Sequence, residues 1–296
     1  MKSIELKKII WAVDVFTDIP QIEEVAAHNI ACFLKSMKSS APVIPVCIFP
    51  EFPTDGETLF AKREIQKRMA SLAFPNLRSV EIITESLSTT MPDQVSSLLK
   101  YAKSVQADLI VATTHGKRGF GQYLLGSFSY ELIRQSSIPL YIIDPECEFH
   151  DKFSKFLVPI GNEGIDREDG RLALSFAKSF HARLTLYQHV DNSTSSFFPV
   201  SPEIFDVLKI QKNQFRLGDR IERRRLKNSL GKDAKNWEIK TEVDTQPNRK
   251  SVVQYIKKEK FDLVVLFSGT KKKKNPLPSK ISKYVVEHSS CPVLIF

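Results

Sequence analysis

The sequence contains no apolar run long enough to cross a membrane as a helix. Its longest apolar stretches, such as residues 263–267, have the length of a strand, whereas a membrane helix needs roughly 20 apolar residues. The first residues include Lys2, Glu5 and Lys7 and are not followed by the short apolar core of a secretion signal. We therefore expect no membrane span, no secretion signal and a cytoplasmic location.

Cysteine is scarce, and its positions show no paired spacing. The four cysteines, Cys32, Cys47, Cys147 and Cys291, are distributed along the whole chain. A disulfide framework or a zinc site would need cysteines at short intervals, and a zinc site often adds histidines. We therefore expect reduced thiols, neither disulfides nor a metal site.

The excess of positive charge is confined to the second half of the chain. The sequence carries 43 Lys and Arg against 34 Asp and Glu, a formal net charge of +9. Residues 1–150 hold 15 basic and 17 acidic side chains, whereas residues 151–296 hold 28 and 17. A basic half permits an anionic partner but does not require one.

An internal repeat relates the two halves. Residues 97–103 (SLLKYAK) recur as residues 251–257 (SVVQYIK), and each copy is followed by an apolar, strand-like run. Each half ends on Ser-Ser-x-Pro and a further apolar run, at 136–143 and 289–296. The same order of segments twice, in 296 residues, indicates duplication of a domain of ~150 residues. We predict domains at 1–150 and 151–296.

Each half alternates strand-like and helix-like patterns. Residues 9–15 form an apolar run broken only by Asp14, as expected of a strand buried on both faces. Such alternation predicts an α/β fold, here two doubly wound domains, each with a five-stranded, mostly parallel sheet covered by helices on both faces. In the first half, we expect strands at 9–15, 43–49, 80–84, 109–113 and 140–143, and helices from 22, 57, 92 and 126. In the second half the plan repeats, with a long second helix at about 202–230.

A glycine-containing loop follows the fourth strand of the first half. Gly116, nine intervening residues and Gly126-Ser127 stand between Thr113 and the next predicted helix. Glycines let backbone N–H groups approach an anion, and a helix N-terminus attracts phosphate. Lys117 and Arg118 would add positive charge. The loop therefore favours phosphate binding beyond the carboxyl ends of parallel strands, where such folds bind ligands.

The first half resembles the universal stress protein family in this loop, in the order of its elements and in the terminal Ser-x-Pro strand, and the second half shares the order of elements and the terminal strand. The family's first loop glycine is replaced by Thr113, whose Cβ would narrow the site. The resemblance implies binding of ATP or another adenine nucleotide, with or without Mg²⁺, in the first half. It also implies that Asp14 lies near the ribose and base. The expected nucleotide-binding residues are Ala12, Val13, Asp14, Ile48 (or its neighbour Cys47), Thr113, His115, Gly116, Lys117, Gly126 and Ser127.

Each of these assignments has a structural alternative. Instead of contacting phosphate, Ser127 can be a helix cap and nothing more. His115 can be an exposed loop residue. Asp14, which would be costly to bury unpaired, can be satisfied by backbone N–H groups instead of a ligand hydroxyl.

The second half departs from the pattern. Gly161 stands where the first half has Asp14, and Ser279-Lys280 replaces Gly126-Ser127. Pro276 and Pro278 remove N–H donors from the loop. We therefore expect no nucleotide there. The four lysines at 271–274 form either a solvated basic loop or a weak surface for anions or nucleic acid.

Taken together, these features predict a stress-response regulator or sensor that binds adenine nucleotide in its first half. A ligand-free interaction module of the same fold is the alternative. No catalytic residue is expected and enzymatic activity is at most a slow ATPase, because no general base stands beside the loop. The resemblance further implies an intramolecular pseudo-dimer of the two halves, in contact through residues 140–143 and 293–296. Two such chains can also form a homodimer.

Overall fold

The computed structural model describes residues 5–13, 22–50, 54–72, 74–114, 127–147, 151–160, 165, 167–189, 239–244, 249–267 and 280–296. The chain divides into two compact units. The first unit combines Glu5–Phe153 with Leu266–Phe296, and the second unit contains Ser154–Val265. The last segment of the chain is thus part of the first unit.

The first unit contains five strands and four helices that follow one another in strict alternation. They are β1 (Ile9–Val13), α1 (Ile22–Met37), β2 (Val43–Pro50), α2 (Asp55–Ala70), β3 (Glu81–Glu85), α3 (Met91–Ser104), β4 (Leu109–Thr113), α4 (Ser127–Gln135) and β5 (Leu140–Ile143). Every predicted element is present, with boundaries that differ by a few residues. The strands pair in the order β3-β2-β1-β4-β5, all in parallel, which confirms the predicted α/β fold.

The core of the first unit lies around β1 and α1. All five residues of β1 are buried, as expected of a central strand covered on both faces. The apolar residues of α1 recur at helical spacing and are buried as one face. Phe33 of that face packs against Tyr141 of β5, with ring centroids 4.7 Å apart.

Pro45 lies inside β2, at a place where its missing N–H costs no sheet hydrogen bond. The N–H and C=O of Val43 bond to the carbonyl of Asn76 and the N–H of Arg78, on the side of the sheet where β3 follows. Alternate residues of a strand face the same side, so the nitrogen of Pro45 faces that side too. The ladder between β2 and β3 begins only at Val46, opposite Glu81. Pro45 therefore occupies a local edge of the sheet, where a proline is tolerated.

The second unit repeats the arrangement of the first. Its elements are β6 (Lys155–Ile160), α5 (Arg167–Ser179), β7 (Arg183–His189), β8 (Ile239–Asp244), α6 (Arg249–Glu259) and β9 (Leu263–Leu266). The strand order β9-β6-β7-β8 corresponds to β4-β1-β2-β3, which confirms the duplication at the level of topology. The helix predicted at about 202–230 lies outside the described residues.

Two further elements, α7 (Lys280–His288) and β10 (Val293–Ile295), complete the first unit. β10 pairs antiparallel with β5, with Val293 opposite Ile142 and Ile295 opposite Leu140. The ammonium of Lys283 lies 5.4 Å from the ring centroid of Tyr130 on α4. The predicted contact between these two strands is confirmed, whereas the pseudo-dimer of the two family-like halves stays a prediction.

Equivalent aspartates brace the amino-terminal ends of the two sheets. Asp108, just before β4, accepts hydrogen bonds at Oδ2 from the backbone N–H groups of Lys7 and Lys8, at 2.7 and 2.9 Å. Asp262, just before β9, accepts from the N–H groups of Ser154 and Lys155, at 2.6 and 2.8 Å, and from the Ser154 hydroxyl at 2.9 Å. Each carboxylate thereby connects the first strand of its unit to the fourth.

Within the part of the chain that the structure describes, none of the helices has both the length and the apolar character needed to span a membrane.

Candidate functional site

The order of the strands places a crevice at the carboxyl ends of β1 and β4. β1 lies between β2 and β4, so the chain runs outward from β1 to β3 on one side and returns to β4 and β5 on the other. Because such crossovers are right-handed, α1 and α2 cover one face of the sheet and α3 and α4 the other. Consistently, Arg68 of α2 bonds to Glu23 of α1, and Gln135 of α4 to the carbonyl of Pro92 on α3. Open α/β sheets bind ligands where the strand order reverses in this way.

Hydrogen bonds fix the end of β4 and the first turn of α4 together. The buried Ser129 donates from its hydroxyl to the carbonyl oxygen of Thr113, at 2.9 Å. Thr114 donates from its N–H to the carbonyl of Ile143 and from its hydroxyl to Oδ2 of Asp144, both at 2.9 Å. The N-terminus of α4 is therefore held at the carboxyl edge of the sheet, and a helix N-terminus is a place that favours an anion.

Five of the ten predicted nucleotide-binding residues are described, and they lie around this edge. Ala12 and Val13 end β1, and each is 8% exposed. Ile48 is half-buried on β2, next to Cys47, which is paired with Val13. Thr113 ends β4, and the exposed Ser127 begins α4. The strands and α4 thus bring these five residues to one edge, and their binding of nucleotide stays a prediction.

The other five predicted residues lie outside the described residues. They are Asp14, His115, Gly116, Lys117 and Gly126. The corresponding positions of the second half, Gly161 and 268–279 with the four lysines, also lie outside. Their assignments stay predictions.

The structure adds one acidic residue that sequence reasoning missed. Glu23, on the first turn of α1, is only 5% exposed. Its Oε2 accepts a hydrogen bond from Nη2 of Arg68 at 2.8 Å. Its Oε1 is buried, and within the described part of the structure it has no hydrogen-bond partner. The signal was available: positions 23, 26 and 30 share one face of a helix, and Ala26 and Ile30 are apolar.

Chemically, the start of α4 favours a negative charge. The N–H groups of its first turn have no partner within the helix, and they and the Ser127 hydroxyl can donate to an anion.

Solved structures share this architecture over nearly the whole chain. A universal stress protein from Archaeoglobus fulgidus DSM 4304 superposes with a TM-score of 0.60 at 14% identity, covering 97% of this chain and 97% of that chain. A protein from Pseudomonas aeruginosa PAO1 described as functionally unknown superposes with a TM-score of 0.60 at 12% identity, covering 98% and 92%. At such identities the likeness shows the fold alone.

Comparison by sequence is more specific. None of the curated proteins compared with the chain is significantly similar to it. The sequence pattern of the universal stress protein family matches twice, over residues 6–144 and 152–296. These two matches cover nearly the whole sequence, and the chain therefore belongs to the universal stress protein family, with two family domains in tandem.

Proposed function

We propose that this protein is a stress-response regulator or sensor that binds ATP or a related adenine nucleotide in its first domain, at the carboxyl ends of β1 and β4. The observation that carries the proposal is the anchored N-terminus of α4, held at this edge by the 2.9 Å hydrogen bond from Ser129 to the Thr113 carbonyl. A phosphate would accept hydrogen bonds from the first N–H groups of the helix.

The loop before α4 supplies the remaining phosphate contacts in this proposal. Gly116 and Gly126 let the backbone approach the phosphates, Lys117 adds charge, and the Ser127 hydroxyl donates to a phosphate oxygen. His115 lies in the same loop and Thr113 at its start.

The uncharged part of the nucleotide would lie across the ends of β1 and β2. Ala12 and Val13 present backbone groups there, Asp14 receives a ribose or base group, and the half-buried Ile48 packs against adenine. An aliphatic side chain that is partly exposed at a strand end suits an aromatic base.

The second domain has a structural role in this proposal. Its loop carries Ser279 in place of glycine and two prolines, which leaves fewer N–H groups for a phosphate. β10, the last strand of the second family domain in the sequence, belongs to the first compact unit and pairs with β5 there. A cytoplasmic location is part of the proposal, because four cysteines without disulfide spacing suit a reducing compartment.

Calorimetric titration with ATP tests the proposal. We expect the wild-type protein to bind one nucleotide per chain and Gly126→Asp to lose binding, because it places bulk and negative charge where phosphate would lie. The matched control is Ser279→Asp, the same side chain at the equivalent position of the second domain, which we expect to bind as the wild type does. Equal binding by Gly126→Asp and Ser279→Asp, or none by the wild type, would contradict the proposal.

One observation favours a second candidate, a ligand-free interaction module. Thr113 stands at the end of β4 where the family has glycine, and its Cβ occupies space at the edge. Under this alternative, no nucleotide binds and Thr113→Gly creates the binding that the wild type lacks.

A further inference from the structure

The solvent-facing side of α2 exposes two adjacent apolar side chains. Leu59 is 51% and Phe60 is 67% exposed, and they are two of the four large apolar residues that the described part of the structure leaves exposed. Single exposed apolar residues are ordinary, whereas neighbouring ones that form a patch indicate an interaction surface. A Cβ built on the exposed Gly56, one turn earlier, would meet no atom within 4 Å. The described part of the chain therefore leaves this side of the helix uncovered.

The opposite side of α2 is held by contacts within the chain. The buried residues of the helix are Ile65 and Met69. Arg68, on the same last turns, bonds to Glu23 of α1 at 2.8 Å. These contacts fix which side of the helix faces solvent. The exposed apolar pair is not needed to hold α2 in place, so it can be replaced without removing a core contact.

Charge is distributed along the exposed side in a self-complementary order. Residues spaced by four follow one another along a row of the helix surface. One such row, here called the α2 row, consists of four exposed residues: Asp55, Leu59, Arg63 and Lys67. It runs from an acid through an apolar residue to two bases. A partner that fits this row presents an acid, an apolar residue and a base in the opposite direction.

A second copy of this chain meets that requirement. When two copies of α2 lie antiparallel about a twofold axis at Leu59, Asp55 of each copy lies opposite Arg63 of the other, because both are four residues from the axis. Leu59 then faces Leu59 of the other copy, with Phe60 beside it, so that apolar surface covers apolar surface. Opposite charges on either side of the axis favour this orientation over the parallel one.

We propose that the α2 row and Phe60 form a self-association surface, which pairs antiparallel with the same surface of a second copy of this chain. The surface is small: a helix of 16 residues is about 24 Å long, and one face of it is below the size of a permanent interface. The dimer is therefore weak and reversible, and its population depends on protein concentration. This surface does not depend on whether the first domain binds nucleotide.

The first test compares two exposed apolar residues. Sedimentation velocity from micromolar to near-millimolar concentration should show the wild type changing from monomer to dimer. Phe60→Ser should raise the dissociation constant of the dimer about tenfold or more, because the aromatic side chain is lost from both copies. The matched control is Leu87→Ser, because Leu87 is 70% exposed but follows β3, outside α2. We expect it to dimerise as the wild type does, and both variants to keep the wild-type Tm.

Exchange of two charges then tests the antiparallel register. Asp55→Arg and Arg63→Asp each place like charges opposite one another at two symmetric positions. Each change alone should raise the dissociation constant of the dimer about fivefold or more. The double variant with both changes restores opposite charges, and its dissociation constant should lie within about twofold of the wild-type value. A non-specific apolar contact would not show this rescue.

Three outcomes would overturn the proposal. If the wild type stays monomeric at the highest concentration, the surface binds a different partner or none. If the wild type and Phe60→Ser dimerise with equal affinity, the contact between copies lies elsewhere on the chain. If Phe60→Ser weakens the dimer but the double charge variant does not recover, the two copies of α2 do not pair in the antiparallel register.

Discussion

The paired aspartates Asp108 and Asp262 allow a prediction about stability that compares the two units directly. Removing either carboxylate with alanine leaves backbone N–H groups at the start of the first strand without their acceptor. Asp262 accepts three hydrogen bonds and is 8% exposed, whereas the half-buried Asp108 accepts two. Hydrogen bonds to a charged group contribute about 1.5–3 kcal/mol each and do not add fully when they share one oxygen.

We therefore expect Asp262→Ala to destabilise its unit by about 3 kcal/mol and Asp108→Ala by about 2 kcal/mol. For a unit of this size, these losses correspond to a fall in Tm of roughly 6–12 °C and 4–8 °C. Differential scanning calorimetry measures both, with Glu24→Ala, at an exposed site, as control. A Tm of Asp262→Ala equal to that of Glu24→Ala, or a larger loss for Asp108→Ala than for Asp262→Ala, would refute the reasoning.

Three further predictions concern other parts of the first unit. Tyr141 is fully buried, its hydroxyl has no hydrogen-bond partner in the described structure, and burial together with nearby thiols raises its pKa well above the ordinary value. Tyr141→Phe should therefore leave the free energy of unfolding unchanged or raise it by up to about 1 kcal/mol, and a fall of Tm in scanning calorimetry would contradict this. Iodoacetamide should modify Cys32 alone in the native protein, since the other three cysteines are buried. The reaction should be slow at neutral pH, because burial and Asp151 raise the pKa of Cys32 and the reactive thiolate forms only as the pH rises. Mass spectrometry before and after denaturation identifies the modified cysteine, and rapid modification of the other cysteines would contradict the prediction. Ser129→Ala should lower both Tm and the affinity for ATP, because it removes the hydrogen bond between the first turn of α4 and Thr113. Ser127→Ala should lower the affinity for ATP and leave Tm unchanged. Equal affinities for ATP in both variants and the wild type would contradict the proposed site.

Most of the fold was predictable because burial imposes a period on the sequence. The residues of α1 that pack inward recur at helical spacing, and β1 is apolar throughout because both of its faces are covered. The proline Pro92 correctly marked the start of α3, whose first residue is Met91. The pairing of β10 with β5 was predicted from the family resemblance alone, because a pattern of apolar residues does not specify which strand edge a strand will join.

The candidate site was predictable only in part. The positions of Ala12, Val13, Ile48, Thr113 and Ser127 follow from the order of the elements, since each of these residues is at or near the end of a strand or the start of a helix. The interior acid Glu23 was missed because two glutamates at a helix N-terminus are ordinarily explained by the helix dipole. The helical spacing that Glu23 shares with the apolar Ala26 and Ile30 is the signal that distinguishes it from the exposed Glu24.

The most direct test of the central claim is the identity of whatever the purified protein carries. Freshly purified protein is denatured, and the released small molecules are separated by chromatography and identified by mass spectrometry, for the wild type, Gly126→Asp and Ser279→Asp. The account predicts an adenine nucleotide, close to one per chain, released by the wild type and Ser279→Asp and missing from Gly126→Asp. An empty wild-type protein that also gives no calorimetric response to added ATP would contradict it.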